Sequence, residues 1–333
     1  MQIKLKTEDN AVFERLKSSG HITHDLRRVM TQQWNMCSIC KQRIGEGRPA
    51  FGGYKEDKSP VLVGACCADS LAELATPVYW TGTLDLSIKD SQKLWRYMDF
   101  AKLMSMLHQG GLYFTRAENF KDRFEGAAGL SSREFEWDQH YLSFFRTALQ
   151  TPPPGMVLQP KSEETIEIEA KMLLDQLKNA YSNARNSLVS CWHANDVESE
   201  ALWHIYCPQE TPGLAIQTTV SRLWDSVSED QSSIVGRVHY LDYRKSFASG
   251  DQRIFCKRSS LSHEREVRAI ISNDYQNPII GKILKCELET LIEEIVISPY
   301  APAWFKGVLT ESISRFGYKI NLRESELVDS PFF

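Results

Sequence analysis

From Ser91 onward the apolar positions alternate between two spacings, and the changes of spacing mark the elements. "KLWRYM" packs apolar and aromatic residues into six positions and predicts a strand. In "DFAKLMSMLHQGG", Phe100, Leu103, Met104 and Leu107 recur at helical spacing, with Asp99 placed to cap the first turn and Gly110–Gly111 to end the last. "LYFTRA" predicts the next strand, and "ENFKDRFEG" a loop of paired acids and aromatics. "TPPPG" breaks the chain at 151–155, and a long charged helix is expected over about 162–186. "SLVSCW" reads as a strand, and "DVESEALWHIYC" as a helix capped by Asp196. "GLAIQTT", "VGRVHYLDY", "EREVRAII" and "IEEIVISP" read as further strands. "APAWFKGVLTESISRFG" predicts a helix with Pro302 near its first turn, and "YKINLRESEL" closes the pattern. Strands outnumber helices and their connections are irregular. The fold class this predicts is α+β, with a mixed and mostly antiparallel sheet.

Ahead of Ser91 the pattern is different. Helices are expected from about Glu8 to Leu16 and from His24 to Trp34. "CSICKQRIGEGRPAFGGYKEDKSPVLVGACCADSLAEL" follows. Its middle predicts a hairpin of short β runs joined by glycine- and lysine-rich turns, and "ADSLAEL" a helix capped by Asp69 or Ser70. The expected organisation is a helical and cysteine-bearing module over 1–76 and a linker over 77–90. An α+β domain over 91–333, with the inserted helix, completes it.

Composition narrows the function. With 333 residues, 42% of them hydrophobic, the chain can bury one large core or two smaller ones. A net charge of −4 weighs against a generic nucleic-acid binder, which carries a basic excess. No run approaches the roughly 18 apolar residues of a membrane helix. "MQIKLKTEDN" has no apolar secretion core, so a cytoplasmic location is expected, where disulfides are rare. The eight cysteines then need another role. Cys191, Cys207, Cys256 and Cys286 are scattered and read as small core residues. Cys37-x-x-Cys40 has the spacing of a zinc knuckle, and Cys66 and Cys67 supply its second half. The fourth ligand stays open among His21, His24, Asp69 and the second cysteine of the adjacent pair. The expected metal is a structural zinc. No His-x-Glu or His-Glu-x-x-His accompanies it, so a catalytic zinc is not indicated.

The segments "LWRYMDFAKLMSMLHQGGLYFTRAENFKDRFEG", "VSCWHANDVESEALWHIY", "GLAIQTT", "GRVHYLDY", "KRSSLSHEREVRAII" and "SEL" resemble a bacterial family known as domain of unknown function 2971. Three of them also resemble the ADP-ribosyltransferases. Those enzymes split NAD across a cleft between two small sheets, with an Arg or His on one strand, a Ser or Tyr on a second and a Glu on a third. The resemblance implies a split sheet here and makes Arg96, Ser190 and Glu266 the matching residues. Arg96 offers a planar fork for a phosphate or ribose oxygen, and Ser190 a hydroxyl that braces the site. Glu266 offers a carboxylate against the positive charge that develops on the ribose. Glu264, two residues earlier in a strand, shares its face and would orient or deprotonate the acceptor. Tyr97, Trp192, His193, Trp203, Tyr206 and Lys257 are the candidates for holding NAD. The implied protein is an NAD-cleaving effector acting on a protein or nucleic-acid acceptor, and such domains serve as toxins or in defence against phage. The usual Ser-Thr-Ser is Ser190-Cys191-Trp192 here, and a helix is inserted between Arg96 and Ser190.

Plainer readings stand beside these. Glu264 and Glu266 can pair with Arg265, Arg268 or Lys257 on a solvated strand face. Arg96 can pair with Asp99, Asp122 or Glu125. Asp122, Glu125, Glu264 and Glu266 can instead hold a divalent metal in a nuclease. Arg237, His239, Arg244, Lys245, Arg253, Lys257 and Arg258 form a basic stretch that can contact NAD phosphates or nucleic acid. The chain can also be a sensor or interaction protein without catalysis, in which the glutamate pair is structural. Oligomeric state is not encoded in any of these features.

Overall fold

The structure is a computed structural model that describes residues 2–4, 27–55, 57–68, 79–151, 161–207, 212–248 and 250–333. The helices expected near Glu8–Leu16 and in "ADSLAEL", and most of "TPPPG", lie outside the described residues. The chain divides into two compact units. Among the described residues no helix is long and apolar enough to cross a membrane.

The first unit comprises 1–80, 129–175 and 243–247. Its sheet is antiparallel, in the order β1 (Gln2–Lys4), β2 (Arg27–Met30), β5 (Pro49–Tyr54), β6 (Pro60–Gly64). Between β2 and β5 lies a short hairpin, β3 (Asn35–Met36) and β4 (Arg43–Ile44), whose connection carries Cys37 and Cys40. The helix expected over His24–Trp34 is corrected by β2, whose residues pair on both sides: Val29 lies opposite Gln2 and Ala50. Tertiary pairing overrides a weak local pattern there. The expected hairpin is β5–β6, with alternate residues turned onto Cys37, Ile44, Ala50, Phe51, Val61, Val63 and Ala68. β7 (Tyr79–Trp80) pairs in parallel with β14 (Ser246–Phe247). There the Trp80 ring stacks on His140 at 4.2 Å and meets Phe247 at 4.8 Å. His140 belongs to a helix, Glu134–Gln150, that the sequence reading missed: it buries just Trp137 and Leu142, so its apolar stripe is thin. The long charged helix is Glu163–Ser182, and a fork from Arg146 to Glu167, at 2.7 and 3.0 Å, ties the two helices together.

The second unit comprises 81–128, 176–242 and 248–333, and among the described residues its main sheet has nine strands. β8 (Lys93–Asp99) and β11 (Gly213–Thr219) are central, and both read as near-continuous apolar runs because each is covered on both faces. The order is β12 (Ile234–Arg237), β16 (Glu266–Ile271), β10 (Leu188–Ala194), β8, β11, β18 (Glu294–Ile297), β19 (Leu322–Glu324). A ribbon of β9 (Gly111–Arg116) and β17 (Gly281–Lys285) joins through β9 to β10. Among the described residues, all pairs of this nine-stranded sheet are antiparallel except β18–β19, which matches the expected mostly antiparallel α+β class. Within "VGRVHYLDY" the strand breaks at Val238. β12 stays in this sheet, and β13 (His239–Leu241) pairs in parallel with β15 (Cys256–Arg258).

One face of the sheet packs on helices Phe100–Gln109, Val220–Val227 and Phe305–Arg315 through Leu103, Leu107, Leu223, Phe305 and Leu309. Asp99 caps the first of these as expected, its Oδ1 accepting the Lys102 amide at 2.8 Å, and Gly110 ends it at φ 54°. The other face carries the short helix Glu200–Tyr206, seated on Trp95, Tyr97, Ala215 and Val296. Its cap is Ser199 rather than Asp196, which accepts from Gln92 instead. Gly213 has to be glycine under this helix: a Cβ would lie 2.4 Å from that of Cys207.

Candidate functional site

The sheet of the second unit opens along one edge of β10. β8 partners β10 at His193 and Ala194, and β9 partners it at Leu188 and Val189. Among the described residues, Ser190, Cys191 and Trp192 have no strand opposite on that edge. The opening leads into a cavity of about 540 Å³, with Arg96, Tyr97, Cys191, His193 and Tyr206 in its lining. Lys102, Ser105, Met106 and Gln109 line it too, one face of the Phe100–Gln109 helix at i, i+3, i+4, i+7 spacing.

Arg96 and Ser190 meet here. The Arg96 Nη1 donates to Ser190 Oγ at 2.8 Å, and Trp192 Nε1 donates to the same oxygen at 3.2 Å. The guanidinium lies 5.5 Å from the Trp192 ring centre, a cation–π contact. Among the described residues Arg96 has no carboxylate partner, and burial pulls it below the ordinary arginine value, with nearby Cys191 opposing. Its expected ion pair with Asp99, Asp122 or Glu125 is therefore not formed. Trp192 is fully buried beneath Arg96, and Trp203 is fully buried behind Tyr97, edge-on at 4.8 Å. Neither indole lines the cavity.

His193 is held in one tautomer. Its Nδ1 lies 2.8 Å from the Glu264 carbonyl, which can only accept, so Nδ1 carries the proton. Burial lowers the imidazole below its usual value, although that same carbonyl opposes, and the ring is neutral near pH 7. A neutral ring with Nδ1 protonated leaves Nε2 as an acceptor, and Tyr206 faces the ring at 5.2 Å.

On the same face of β10 and β16 lies a buried network of charges. Glu266 is opposite His193, and Arg268 is opposite Cys191. Arg268 Nε donates to Glu266 Oε1 at 2.7 Å, and its Nη2 to Glu125 at 3.0 Å. Lys257 Nζ reaches Glu264 at 2.5 Å and Glu266 at 2.9 Å. Burial alone would raise the Glu266 carboxyl, but Arg268 and Lys257 outweigh it and hold it down to about 2. For Glu125 burial wins over Arg268, and its carboxyl is raised. Cys191 has its thiol hydrogen-bonded to Glu266, and burial beside that carboxylate pushes it well above the usual value. It is therefore a protonated donor and not a nucleophile.

The glutamate pair is thus salt-bridged, with Glu266 buried and Glu264 partly so, and it is not on a solvated strand face. Glu264 is not on the strand: it ends a 3-10 turn, Ser259–Glu264, and β16 begins at Glu266. Arg265 between them adopts φ 43°, so the two carboxylates converge on Lys257 through a turn and not through strand alternation. Glu266 lines a second cavity, not the 540 Å³ one. The carboxylates considered for a divalent metal gather about Lys257 and Arg268, while Asp122 pairs with Arg258 at 2.8 Å. Of the basic stretch, Lys257 belongs to this network, Arg237 pairs with Asp85, and Arg244 and Lys245 belong to the first unit.

Sequence reasoning did not single out Tyr240 or the polar helix face. Tyr240 Oη accepts the Glu266 amide at 2.7 Å, and nothing local marks it. The helix face was visible as Lys102, Ser105 and Gln109 at helical spacing opposite the apolar stripe.

In the first unit, Cys37, Cys40, Cys66 and Cys67 place their sulfurs within 4.8 Å of one another. Among the described residues this is the one set of three or more such ligands about a single point. Both members of the adjacent pair take part, and no histidine is needed. Burial would raise Cys37, but the amides of Cys40, Gly64 and Ile39 outweigh it and bring the thiol to about 7. Burial and the thiols of Cys40 and Cys37 push Cys67 up to about 11. Four sulfurs this close cannot all ionise without a cation among them, and amides aimed at a thiolate suit a tetrahedral metal. The set fits a zinc ion.

No protein-family model and no curated protein matches the sequence. Among solved structures, Thermus sp. 2.9 DarT in complex with NAD+ aligns over 72% of this chain and 98% of that one, with a TM-score of 0.33 and 10% identity. Thermus sp. 2.9 DarT in complex with ADP-ribosylated ssDNA aligns over 73% and 98%, with a TM-score of 0.32 and 10% identity.

Proposed function

We propose that this protein binds NAD in the 540 Å³ cavity and cleaves its nicotinamide–ribose bond, passing ADP-ribose to a macromolecular acceptor, a protein or a nucleic acid. The observation that carries this is Arg96, a guanidinium enclosed at the opening of the sheet with no carboxylate partner among the described residues. Arg96 is half-buried in the cavity lining; withdrawing a cation from water without a counter-charge is costly, and a cavity that retains one suits an anionic ligand. Arg96 would hold the pyrophosphate or a ribose oxygen, with Ser190 fixing the fork. Tyr97 and Tyr206 would pack the planar rings.

In the reaction the bond between the ribose anomeric carbon and the nicotinamide nitrogen breaks, and the electron pair leaves with nicotinamide. The ribose carries positive charge as it does so, and Glu266, ionised throughout the physiological range, supplies a fixed negative field one strand away. The acceptor bonds to the anomeric carbon through a lone pair, and its proton passes to His193 Nε2. Structural zinc in the cysteine cluster completes the reading.

One observation favours a second reading. Lys257 and Arg268 already saturate Glu266, which suits a nucleotide-binding protein without catalysis. Titration calorimetry tests the shared first step. NAD is expected to bind, and Arg96→Gln to weaken it at least tenfold, about 1.4 kcal/mol. Equal affinity in wild type and variant contradicts the assignment of Arg96.

A further inference from the structure

The geometry points to a second ligand site, in the other cavity of the sheet unit, that takes a nucleotide by its phosphate. This cavity, about 690 Å³, has Lys89, Arg237 and Arg265 in its wall above apolar Ile88, Val238 and Val267. Cations over an apolar floor suit a ligand with a planar ring and a phosphate.

Three features separate it from an ordinary charged surface. Arg237 is preset: its Nη2 donates to Asp85 Oδ2 at 2.6 Å and its Nε to the Asp85 carbonyl at 3.2 Å. The side chains of Lys89 and Arg265 find no acceptor among the described residues. Arg265 also sits at φ 43°, a left-handed conformation that side chains other than glycine's rarely adopt. Lys41 and Lys58 share this conformation at φ 64°, but neither lines this cavity, whereas Arg265 does. Strain kept at a residue whose charge faces a cavity is the pattern of a binding site. The one carboxylate in the lining, Glu266, is ion-paired with Lys257 and Arg268, which weakens its repulsion of a phosphate. This site does not depend on the NAD reading.

The strain makes the test sharp, because Arg265→Gly removes the charge while relaxing the backbone. Binding of a fluorescein-labelled single-stranded oligonucleotide would be followed by anisotropy, and binding of adenosine monophosphate by calorimetry. The full chain would be compared with Arg265→Gly, Lys89→Gln and the control Lys306→Gln, a surface lysine paired with Glu324 at 2.9 Å. Arg265→Gly and Lys89→Gln should each weaken binding at least tenfold, and each should lower the salt dependence by about one phosphate contact. Lys306→Gln should stay within twofold, and the thermal midpoint of Arg265→Gly should not fall below wild type. Binding of the oligonucleotide alone would identify a strand as the ligand, and binding of the monophosphate alone a free nucleotide; either supports the site. No binding of either probe, or wild-type affinity in Arg265→Gly, overturns it. Nicotinamide release is not read in this assay, so failure here and failure of the NAD reading are distinguishable.

Discussion

Arg268→Met is expected to destabilise the sheet unit by about 3–5 kcal/mol, the cost of removing one partner from a buried ion network. Arg268 is fully buried. It holds Glu266 at 2.7 Å and Glu125 at 2.8 Å. Methionine nearly fills the volume but leaves two carboxylates with Lys257 alone, which stands 3.9 Å from Glu125. Glu125→Gln in the same chain should recover part of the loss, because one of the stranded charges is then gone. Denaturant unfolding followed by tryptophan fluorescence measures both, and a loss under 1 kcal/mol would show that the network is not closed as described. The network also sets a pH dependence. The folded Glu266 carboxyl, at about 2, lies below its unfolded value of 4.5, so its contribution is complete above about 4.5 and is lost as pH falls through 2. Glu125 is shifted upward and works in the opposite sense: ionising it costs folded stability, and acid relieves that cost. The acid limb of the stability curve is therefore shallower than Glu266 alone would make it.

Removing metal from the cysteine cluster should unfold the strands around it. Their core is Cys37, Ile44, Ala50, Phe51, Val61, Val63 and Ala68, and one of those seven is itself a ligand. So few buried side chains cannot offset the conformational entropy of the segment, and structural zinc in small modules supplies on the order of 10 kcal/mol. Elemental analysis should find one zinc per chain. A chelator, or Cys40→Ser, should abolish hydrogen-exchange protection in Pro49–Tyr54 and Pro60–Gly64 while Gly213–Thr219 of the other unit stays protected. Full protection of the β5–β6 hairpin in metal-free protein would remove the metal from the account.

What the sequence made legible follows the range of the interactions. The Phe100–Gln109 helix was readable to its cap because Asp99 and Gly110 act within a turn of where they stand. β8 and β11 were readable because strands covered on both faces are rich in apolar and aromatic residues. The resemblance put Arg96, Ser190 and Glu266 at one cleft, with Ser190 bracing the glutamate. Ser190 instead meets Arg96, 94 positions away, and Glu266 lines the other cavity, a placement no local pattern encodes. Glu264 and Glu266 looked like one strand because "EREVRAII" continues without a break. The turn at Arg265 is imposed by tertiary contacts: the Arg265 carbonyl accepts from Ala194, and Lys257 draws both carboxylates together. Trp192 and Trp203 were placed against ligand because tryptophan suits stacking, yet each is fully buried as packing beneath a residue that does face the cavity. Parity in a strand assigns a face, and it does not say whether that face is open.

The most direct test of the central claim is release of nicotinamide from NAD by purified, zinc-loaded protein, with and without cell lysate as a source of acceptor. Wild type should release nicotinamide, and Glu266→Gln should lose at least a hundredfold in rate, about 2.7 kcal/mol of transition-state stabilisation, while still binding NAD. Bound NAD with no release by wild type in the presence of lysate would contradict catalysis and leave a nucleotide-binding protein whose glutamate pair serves the fold.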